Sequence, residues 1–325
     1  MRQFLKIAAA GAGMALVSPG AWAAPVTLQM STEYVEKSLQ GEADQYFAEK
    51  AKEYSDGELD IIVNFGGALG YKNPDQFDAV SSGAIPIADT LVSFWGGIDP
   101  LFQLSTLPFV APDIEAARAL YGRAEDDYRK VLAENGQKLL FASPWPPSGI
   151  WSKDGVTSLD DLKNLKIRTY DTASSTVFRE VGAAPVQLTW GDTGPQLATG
   201  AISAVLTSAE GGVFATFWDH TRNFTVINYA WPLNIAHMNQ DVFDGLSPTQ
   251  QAAIEKAAAE ANERTWQALS ARIEKNLGTL EEHDVTVIQD VPEPAMAALR
   301  AAAEQAVGQW KERMGASADK YLAAE

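Results

Sequence analysis

One arginine stands inside an apolar stretch of the chain, where its charge has to be paired or bound to an anion. Arg168 follows Leu165 and Ile167 in a segment that alternates like a β-strand. A guanidinium group in such a place either pairs with an internal acid or offers its planar fork of donors to a ligand carboxylate. The sequence therefore predicts Arg168 as an anion-binding residue, with an internal ion pair as the alternative.

Several tryptophans stand close to predicted strand ends or chain breaks, where ligands of open α/β sheets bind. They are Trp95, Trp145, Trp151, Trp190 and Trp231. A flat indole ring suits the wall of a site for another ring. Trp190 directly follows a predicted strand over 184–188, so we expect it to line a cleft. The alternative for each tryptophan is a place in a core or a seam.

Composition excludes several classes of protein. Asp and Glu number 42 against 25 Lys and Arg, a formal charge of −17, so no basic face is expected for nucleic acid. The absence of cysteine excludes disulfides, thiolate metal sites and a cysteine nucleophile. The three histidines, at 220, 237 and 283, are too widely spaced for a His-rich metal site. We expect no metal and no cofactor; a Ser–His–Asp triad remains the enzyme alternative.

The first 23 residues have the pattern of a secretory signal peptide. Arg2 and Lys6 precede an apolar stretch over 7–17, and Ala21-Trp22-Ala23 gives an A-x-A cleavage site. The apolar stretch is shorter than the about 20 residues that span a bilayer. We expect cleavage after Ala23 and a soluble, periplasmic product without a membrane span.

The remaining chain contains the order β-α-β-α-β twice, which predicts parallel strands with helical crossovers. Strands are predicted over 26–30, 59–65 and 85–89, and again over 165–169, 184–188 and 204–207. A proline- and glycine-rich break over 144–149 is interpreted as a crossover between two domains. From Ser247-Pro248 to about residue 280, a helix of roughly 30 residues is long enough to support both domains.

These segments together resemble the solute-binding proteins of tripartite ATP-independent periplasmic (TRAP) transporters, of the DctP type. The resemblance covers nearly the whole chain after residue 23 and is strongest over 161–201. There a "K-I-R" strand, a helix, "A-A-P-V", an aromatic residue and a helix ending in "T-G" follow in order. Supporting stretches are FGGALG (65–70), LSTLPF (104–109) and the segment 238–251.

The resemblance implies a two-domain α/β fold of the periplasmic-binding-protein (venus-flytrap) type, with a long helix bracing both domains. The expected domains are 24–145 with 234–275, and 146–233 with 276–325. The resemblance also implies that Arg168 holds a ligand carboxylate and that Trp190 flanks the ligand. Thr207 or Ser208 stands where the family has an asparagine. Ser148 stands where sialic-acid-binding members have a second arginine, so sialic acid is not expected.

The expected function is capture of a small organic acid by cleft closure and delivery to the small and large TRAP permease subunits. One arginine and several tryptophans favour an aromatic or hydrophobic monocarboxylate. A C4 dicarboxylate, a keto acid or a sulfonate is the alternative, as are an ABC-transporter or sensor role and a periplasmic enzyme. The protein is expected to be a monomer. Further candidate ligand-binding residues are Trp145, Trp231, Tyr34, Tyr71 and Trp95.

Overall fold

The computed structural model describes residues 25–322, so the predicted signal peptide and its cleavage site lie outside the described residues. The strands are β1 (Val26–Thr32), β2 (Leu59–Asn64), β3 (Ile87–Leu91), β4 (Gln137–Pro144), β5 (Ser148–Ser152), β6 (Lys166–Thr169), β7 (Ala184–Gln187), β8 (Ala204–Ser208), β9 (Asn223–Thr225), β10 (Leu233–Asn239) and β11 (Thr286–Ile288). The helices are α1 (Leu39–Tyr54), α2 (Asn73–Ser81), α3 (Ile114–Glu134), α4 (Thr172–Glu180), α5 (Trp190–Ala198), α6 (Ala209–Phe214), α7 (Gln240–Asp244), α8 (Pro248–Glu282), α9 (Glu293–Met314) and α10 (Ala318–Leu322).

The strands form two separate sheets, as expected for two α/β lobes. The first sheet has the order β2-β1-β3-β10-β4, and β10 runs antiparallel to both of its neighbours. The second has the order β11-β9-β5-β8-β6-β7, in which β5 runs antiparallel to β8 and β9. The chain crosses between the sheets at residues 145–147, at the predicted break. The exact domain boundaries stay a prediction.

Helix α8 contacts both lobes. It begins with a capping box, in which the side chains of Ser247 and Gln250 each accept the other residue's backbone N–H, and it runs for 35 residues. At 1.5 Å per residue it is about 52 Å long. Its first part packs on α1 and β4, and its last part reaches α6 and β11. None of the helices in the described part of the chain is both long and apolar enough to cross a membrane.

Several elements of the fold have no counterpart in the sequence predictions, and β5 and α3 are two of them. The prolines at 146 and 147 predict only a stiff break, yet Ser148–Ser152 directly after them is a fully buried strand in the middle of the second sheet. The 21-residue helix Ile114–Glu134, capped by the Asp113 side chain, covers the first sheet beside β4. The first of these matters for the site, because β5 carries Ser148.

His237 gives the fold a pH-dependent stability. The ring is fully buried on β10, with Nδ1 2.5 Å from Gln137 Oε1 and Nε2 3.0 Å from Thr90 Oγ1. Burial lowers the pKa of His237 to about 3. The unfolded chain, with a histidine pKa of about 6.5, binds the proton first. The contribution of His237 to the free energy of unfolding should therefore fall as pH drops below about 6.5, by up to about 1.4 kcal/mol per pH unit.

Urea unfolding of the wild type and of His237→Gln between pH 7 and pH 4 measures this dependence. Between pH 7 and pH 4 the free energy of unfolding of the variant should fall less, or rise more, than that of the wild type, because the glutamine side chain takes up no proton on unfolding. His220→Gln, at an exposed position, is the matched control and should follow the wild type. Equal slopes for all three proteins would contradict the prediction.

Candidate functional site

A cavity lies between the two lobes, lined by residues from both sheets. It contains about 380 Å³ of space free of atoms, including the part open to solvent. The lining residues are Tyr34, Asn73, Leu91, Phe94, Trp145, Ser148, Arg168, Tyr170, Trp190, Thr207, Ser208 and Pro232.

Strand ends bring these residues together. Leu91 is the last residue of β3 in the first lobe, while Thr207 and Ser208 end β8 in the second. Tyr170 directly follows β6, and Trp190 is the first residue of α5. The cavity thus lies beyond the carboxyl ends of strands from two sheets, where α/β proteins bind their ligands.

Arg168 is the charged residue among those that line this cavity. Its side chain is 2% exposed, Nε donates to Leu188 O at 3.1 Å, and Nη1 donates to Leu206 O at 3.3 Å. These carbonyls fix the orientation of the guanidinium group without neutralising it. No carboxylate within residues 25–322 accepts a hydrogen bond from it, so the internal ion pair considered from the sequence is not formed. Burial lowers the pKa of Arg168 to about 10, and the group still carries its charge at neutral pH.

Aromatic rings surround the guanidinium group. The Arg168 Cζ atom lies 5.7 Å from the ring centroids of both Tyr170 and Trp190. The Trp190 ring is held by Phe214 at 5.4 Å and Phe217 at 5.9 Å between centroids. Such rings favour a nearby cation and leave its donor edge available to an anion. The arrangement can bind one carboxylate in an environment largely shielded from water.

A hydrogen-bond network from the first lobe reaches the other side of the cavity. The buried Asn73 donates from Nδ2 to the Tyr34 hydroxyl at 3.2 Å and to the Glu33 carboxylate, and its backbone N–H donates to Glu33 at 2.8 Å. Burial raises the pKa of Glu33, opposed by hydrogen bonds from the backbone of Asn73 and of Gly191. Since Gly191 belongs to α5, this carboxylate connects the two lobes.

A second connection between the lobes lies near the surface. Lys72 Nζ, before α2, is 2.9 Å from both carboxylate oxygens of Asp192 on α5. Both side chains are half-exposed, so their attraction is screened by solvent. The contact shows that the lobes are close together in this structure, which corresponds to a closed cleft. Lys72 does not line the cavity.

Seven of the ten residues predicted for ligand binding line the cavity: Arg168, Trp190, Thr207, Ser208, Ser148, Trp145 and Tyr34. The Ser148 hydroxyl lies 3.4 Å from the Tyr170 hydroxyl, and the Trp145 indole lies at 4.9 Å, edge to face, from the Tyr34 ring. Ser208 also caps α6, because its Oγ accepts the Gly211 N–H.

The structure places the other three predicted residues away from the cavity. Trp95 is buried in the core of the first lobe, where Nε1 donates to Asn73 O at 3.2 Å. Trp231 packs in the same core, and its Nε1 donates to Ala111 O at 3.0 Å. Tyr71 packs against the small cluster around Val80. Trp151, a further candidate for the wall, is fully buried in the second lobe.

Five lining residues were not predicted: Asn73, Leu91, Phe94, Tyr170 and Pro232. Tyr170 and Leu91 stand at the carboxyl ends of strands, so the rule that indicated Trp190 applies to them equally. Pro232 follows the predicted Trp231 in the chain, and Pro232 rather than Trp231 lines the cavity. Asn73 has no sequence signal, because its role depends on Glu33, which is 40 residues away along the chain.

Comparison with known proteins identifies the family. Residues 30–313 match the family described as DctP, bacterial extracellular solute-binding protein, family 7. The chain belongs to this family. The predicted family membership and the two-lobed periplasmic-binding fold are thereby confirmed, and the protein is a solute-binding protein of the DctP type rather than an enzyme.

Three relatives show the range of similarity. The ectoine-binding periplasmic protein TeaA of Halomonas elongata is 25% identical over 267 residues, which is 78% of this chain and 77% of TeaA. DctP7, an extracytoplasmic solute receptor of Bordetella pertussis that binds pyroglutamic acid, has a TM-score of 0.88 at 28% identity, covering 91% of this chain and 98% of its own. A marine-metagenome TRAP solute-binding protein specific for pyroglutamate has a TM-score of 0.87 at 28% identity, covering 92% and 97%.

The family assignment fixes the general role of this DctP-type protein. It is an extracytoplasmic solute-binding protein of the TRAP type, and such proteins work together with permeases in the membrane. The predicted transport class and periplasmic location are confirmed at this level. The cavity around Arg168 has the lining expected of the ligand site.

Proposed function

We propose that this DctP-type protein binds a compact monocarboxylate with a flat ring, and that Arg168 holds its carboxylate. The observation that carries the proposal is the charge of the cavity lining: among the lining residues of the described chain, Arg168 alone is charged. One cation pairs with one carboxylate. A dicarboxylate would place its second negative charge beside uncharged side chains, at a desolvation cost.

The rest of the lining favours a ring over a flexible polar chain. Trp145, Trp190 and Phe94 offer flat surfaces, and Leu91 and Pro232 extend the apolar wall. Aromatic pairs gain about 0.5–1.5 kcal/mol beyond the burial of their area. An aromatic or hydrophobic acid of the benzoate class would pack its ring against these flat and apolar surfaces.

Pyroglutamate is a second candidate of the same class, since it is also a small ring with one carboxylate. It is supported by the two structures at 28% identity whose ligand it is. The hydroxyl groups of Ser148, Tyr170 and Thr207 lie in the lining and are suited to the polar edge of a lactam ring. Benzoate has no such edge, so the two candidates make different use of these hydroxyls.

Calorimetric titration of ligand-free protein with benzoate, indole-3-acetate, pyroglutamate, succinate and pyruvate tests the proposal. Protein unfolded and refolded to remove carried-over ligand is needed, because bound acid would mask binding. We expect the dissociation constants of the ring monocarboxylates to be at least tenfold lower than those of succinate and pyruvate. Tight binding of succinate or pyruvate alone would overturn the ring proposal and leave the transporter role intact.

Trp190→Ala should distinguish a wall for rings from a merely structural tryptophan. The variant should lose about tenfold in affinity for the best ring acid, the scale of about 1.4 kcal/mol, and much less for a short aliphatic acid. Trp218→Ala is the matched control, because Trp218 lies in the same lobe, stacked on His283 and outside the cavity lining. Equal losses for ring and aliphatic acids would argue against a stacking role.

A further inference from the structure

A buried carboxylate of the second lobe makes a hydrogen bond to the first lobe. Glu210, the second residue of α6, is 2% exposed, and its Oε1 accepts the backbone N–H of Leu39 at 2.8 Å. Leu39 is the first residue of α1 in the first lobe. The first turn of a helix has N–H groups without a partner in the helix and carries a partial positive charge, so it favours a carboxylate. The contact therefore holds the start of α1 to α6 by a charge-assisted hydrogen bond.

The long helix α8 supplies the other partners of this carboxylate. Asn276 Nδ2 donates to Glu210 Oε2 at 2.5 Å, and Arg272 Nε lies 3.7 Å from the same oxygen. Arg272 also forms an ion pair with Glu42 of α1. Burial raises the pKa of Glu210, and the charge of Arg272 is the largest of the effects that oppose this rise. Both oxygens of Glu210 are thus engaged, and α1, α6 and α8 meet at this one side chain.

Glu210 stands beside the lining of the ligand cavity but is not part of it. Thr207 and Ser208, which line the cavity, directly precede α6, and Ser208 caps this helix. Phe214, at the end of the same helix, packs on the Trp190 ring at 5.4 Å between centroids. A shift of α6 relative to α1 would therefore displace lining residues of the second lobe from those of the first.

We propose that Glu210 is a positioning residue for ligand binding, which stabilises the closed arrangement of the lobes by holding α6 to α1. Leu39 and Glu210 belong to different lobes, so their hydrogen bond is stretched when the lobes separate. A contact made in the closed state shifts the equilibrium towards that state and raises the affinity for any ligand that prefers it. The inference takes the cavity around Arg168 as the ligand site, which is part of the proposed function, but it does not depend on which acid binds there.

The test measures how Glu210→Gln binds the acids named above, benzoate, indole-3-acetate, pyroglutamate, succinate and pyruvate. Glutamine has one acceptor oxygen in place of two, so the variant loses either the Leu39 or the Asn276 hydrogen bond, and it loses the charge that faces Arg272. We expect the dissociation constant of every acid that binds the wild type to rise by the same factor, about tenfold.

Stopped-flow fluorescence separates this role from a merely structural one, because Trp145 and Trp190 in the lining report on binding. The loss should appear as faster dissociation at an unchanged association rate, since the acid enters an open cleft before the contact forms. Glu282→Gln, at an exposed acid in the last turn of α8, is the matched control and should bind like the wild type. Lys72→Ala, which removes the exposed ion pair between the lobes, should change the affinity by less than about twofold.

A second variant keeps the proposal falsifiable if Glu210→Gln does not fold. Asn276→Ala removes one donor to the same carboxylate and leaves the contact with Leu39, so it should raise all dissociation constants by about threefold. Unchanged affinity in folded Glu210→Gln protein, or a loss confined to one acid, would overturn the proposal. Tight binding of succinate or pyruvate alone would overturn the ring acid proposed above and leave this one intact, provided that the variant weakens that acid.

Discussion

Arg168→Ala is expected to weaken binding of the best ring monocarboxylate by at least about 30-fold, equivalent to about 2 kcal/mol. The substitution removes the one charged group among the lining residues and leaves the ligand carboxylate buried without a counter-charge. Calorimetric titration with the acid that binds wild-type protein best measures the loss. Most of it should appear as faster dissociation, because the ion pair forms inside a closed cleft.

Two further variants make this result specific. Lys166→Ala removes an exposed positive charge from the same strand and should leave the affinity unchanged. Arg168→Lys keeps the charge but loses the planar fork, so its affinity should lie between those of wild type and Arg168→Ala. Arg168 also donates to two backbone carbonyls, so circular dichroism must show that each variant folds. An unchanged dissociation constant in folded Arg168→Ala protein would refute its role as the anchor.

Gly212→Ala is expected to lower the free energy of unfolding by at least about 3 kcal/mol, at the upper end of overpacking effects. A Cβ atom at residue 212 would lie 2.0 Å from Cζ2 of Trp151 and 2.1 Å from its Cε2. The indole is fully buried and cannot move aside, because Phe217 and Phe224 pack on it and its Nε1 donates to Ser208 O. Urea unfolding with and without ligand measures the loss.

A second glycine and a second-site change serve as controls. Gly122→Ala, in α3 with no atom within 4 Å of the added carbon, should gain about 0.4–1 kcal/mol of stability. Trp151→Leu in the Gly212→Ala background should recover part of the lost stability, because it removes the ring that the new methyl group meets. A Gly212→Ala protein as stable as the wild type would mean that the Trp151 ring is far less constrained than its contacts indicate.

The sequence predicted the structure best where a residue with unusual chemistry stands in or beside a predicted strand. The alternation of strands and helices predicted the two sheets, and Arg168 and Trp190 were found because each is unusual for its place at a strand. Trp231 and Trp95 were predicted for the cavity but lie in the core of the first lobe. Trp231 and Pro232 lie in the loop just before β10, and which of them faces the cavity depends on tertiary packing.

Long-range hydrogen bonds explain the remaining omissions. The role of Asn73 depends on Glu33, which is 40 residues away along the chain, and no local pattern indicates this contact. The strand β5 was not predicted, because the two prolines before it indicate only a break in the chain. They do not indicate that a buried strand follows. Such features become visible only when the sheets bring distant segments together.

The position of β10 in the first sheet determines when that lobe can be completed as the chain is made. Strand β10 is inserted between β3 and β4, yet it follows β4 by about 90 residues of sequence, which form most of the second lobe. Until those residues have emerged, the first sheet lacks the strand that joins β3 to β4. During that time β3 and β4 have unpaired edges, which are prone to wrong pairing. The first lobe to be synthesised is therefore finished only after most of the second has emerged, so a chain ending before residue 233 is expected to remain incompletely folded and accessible to chaperones.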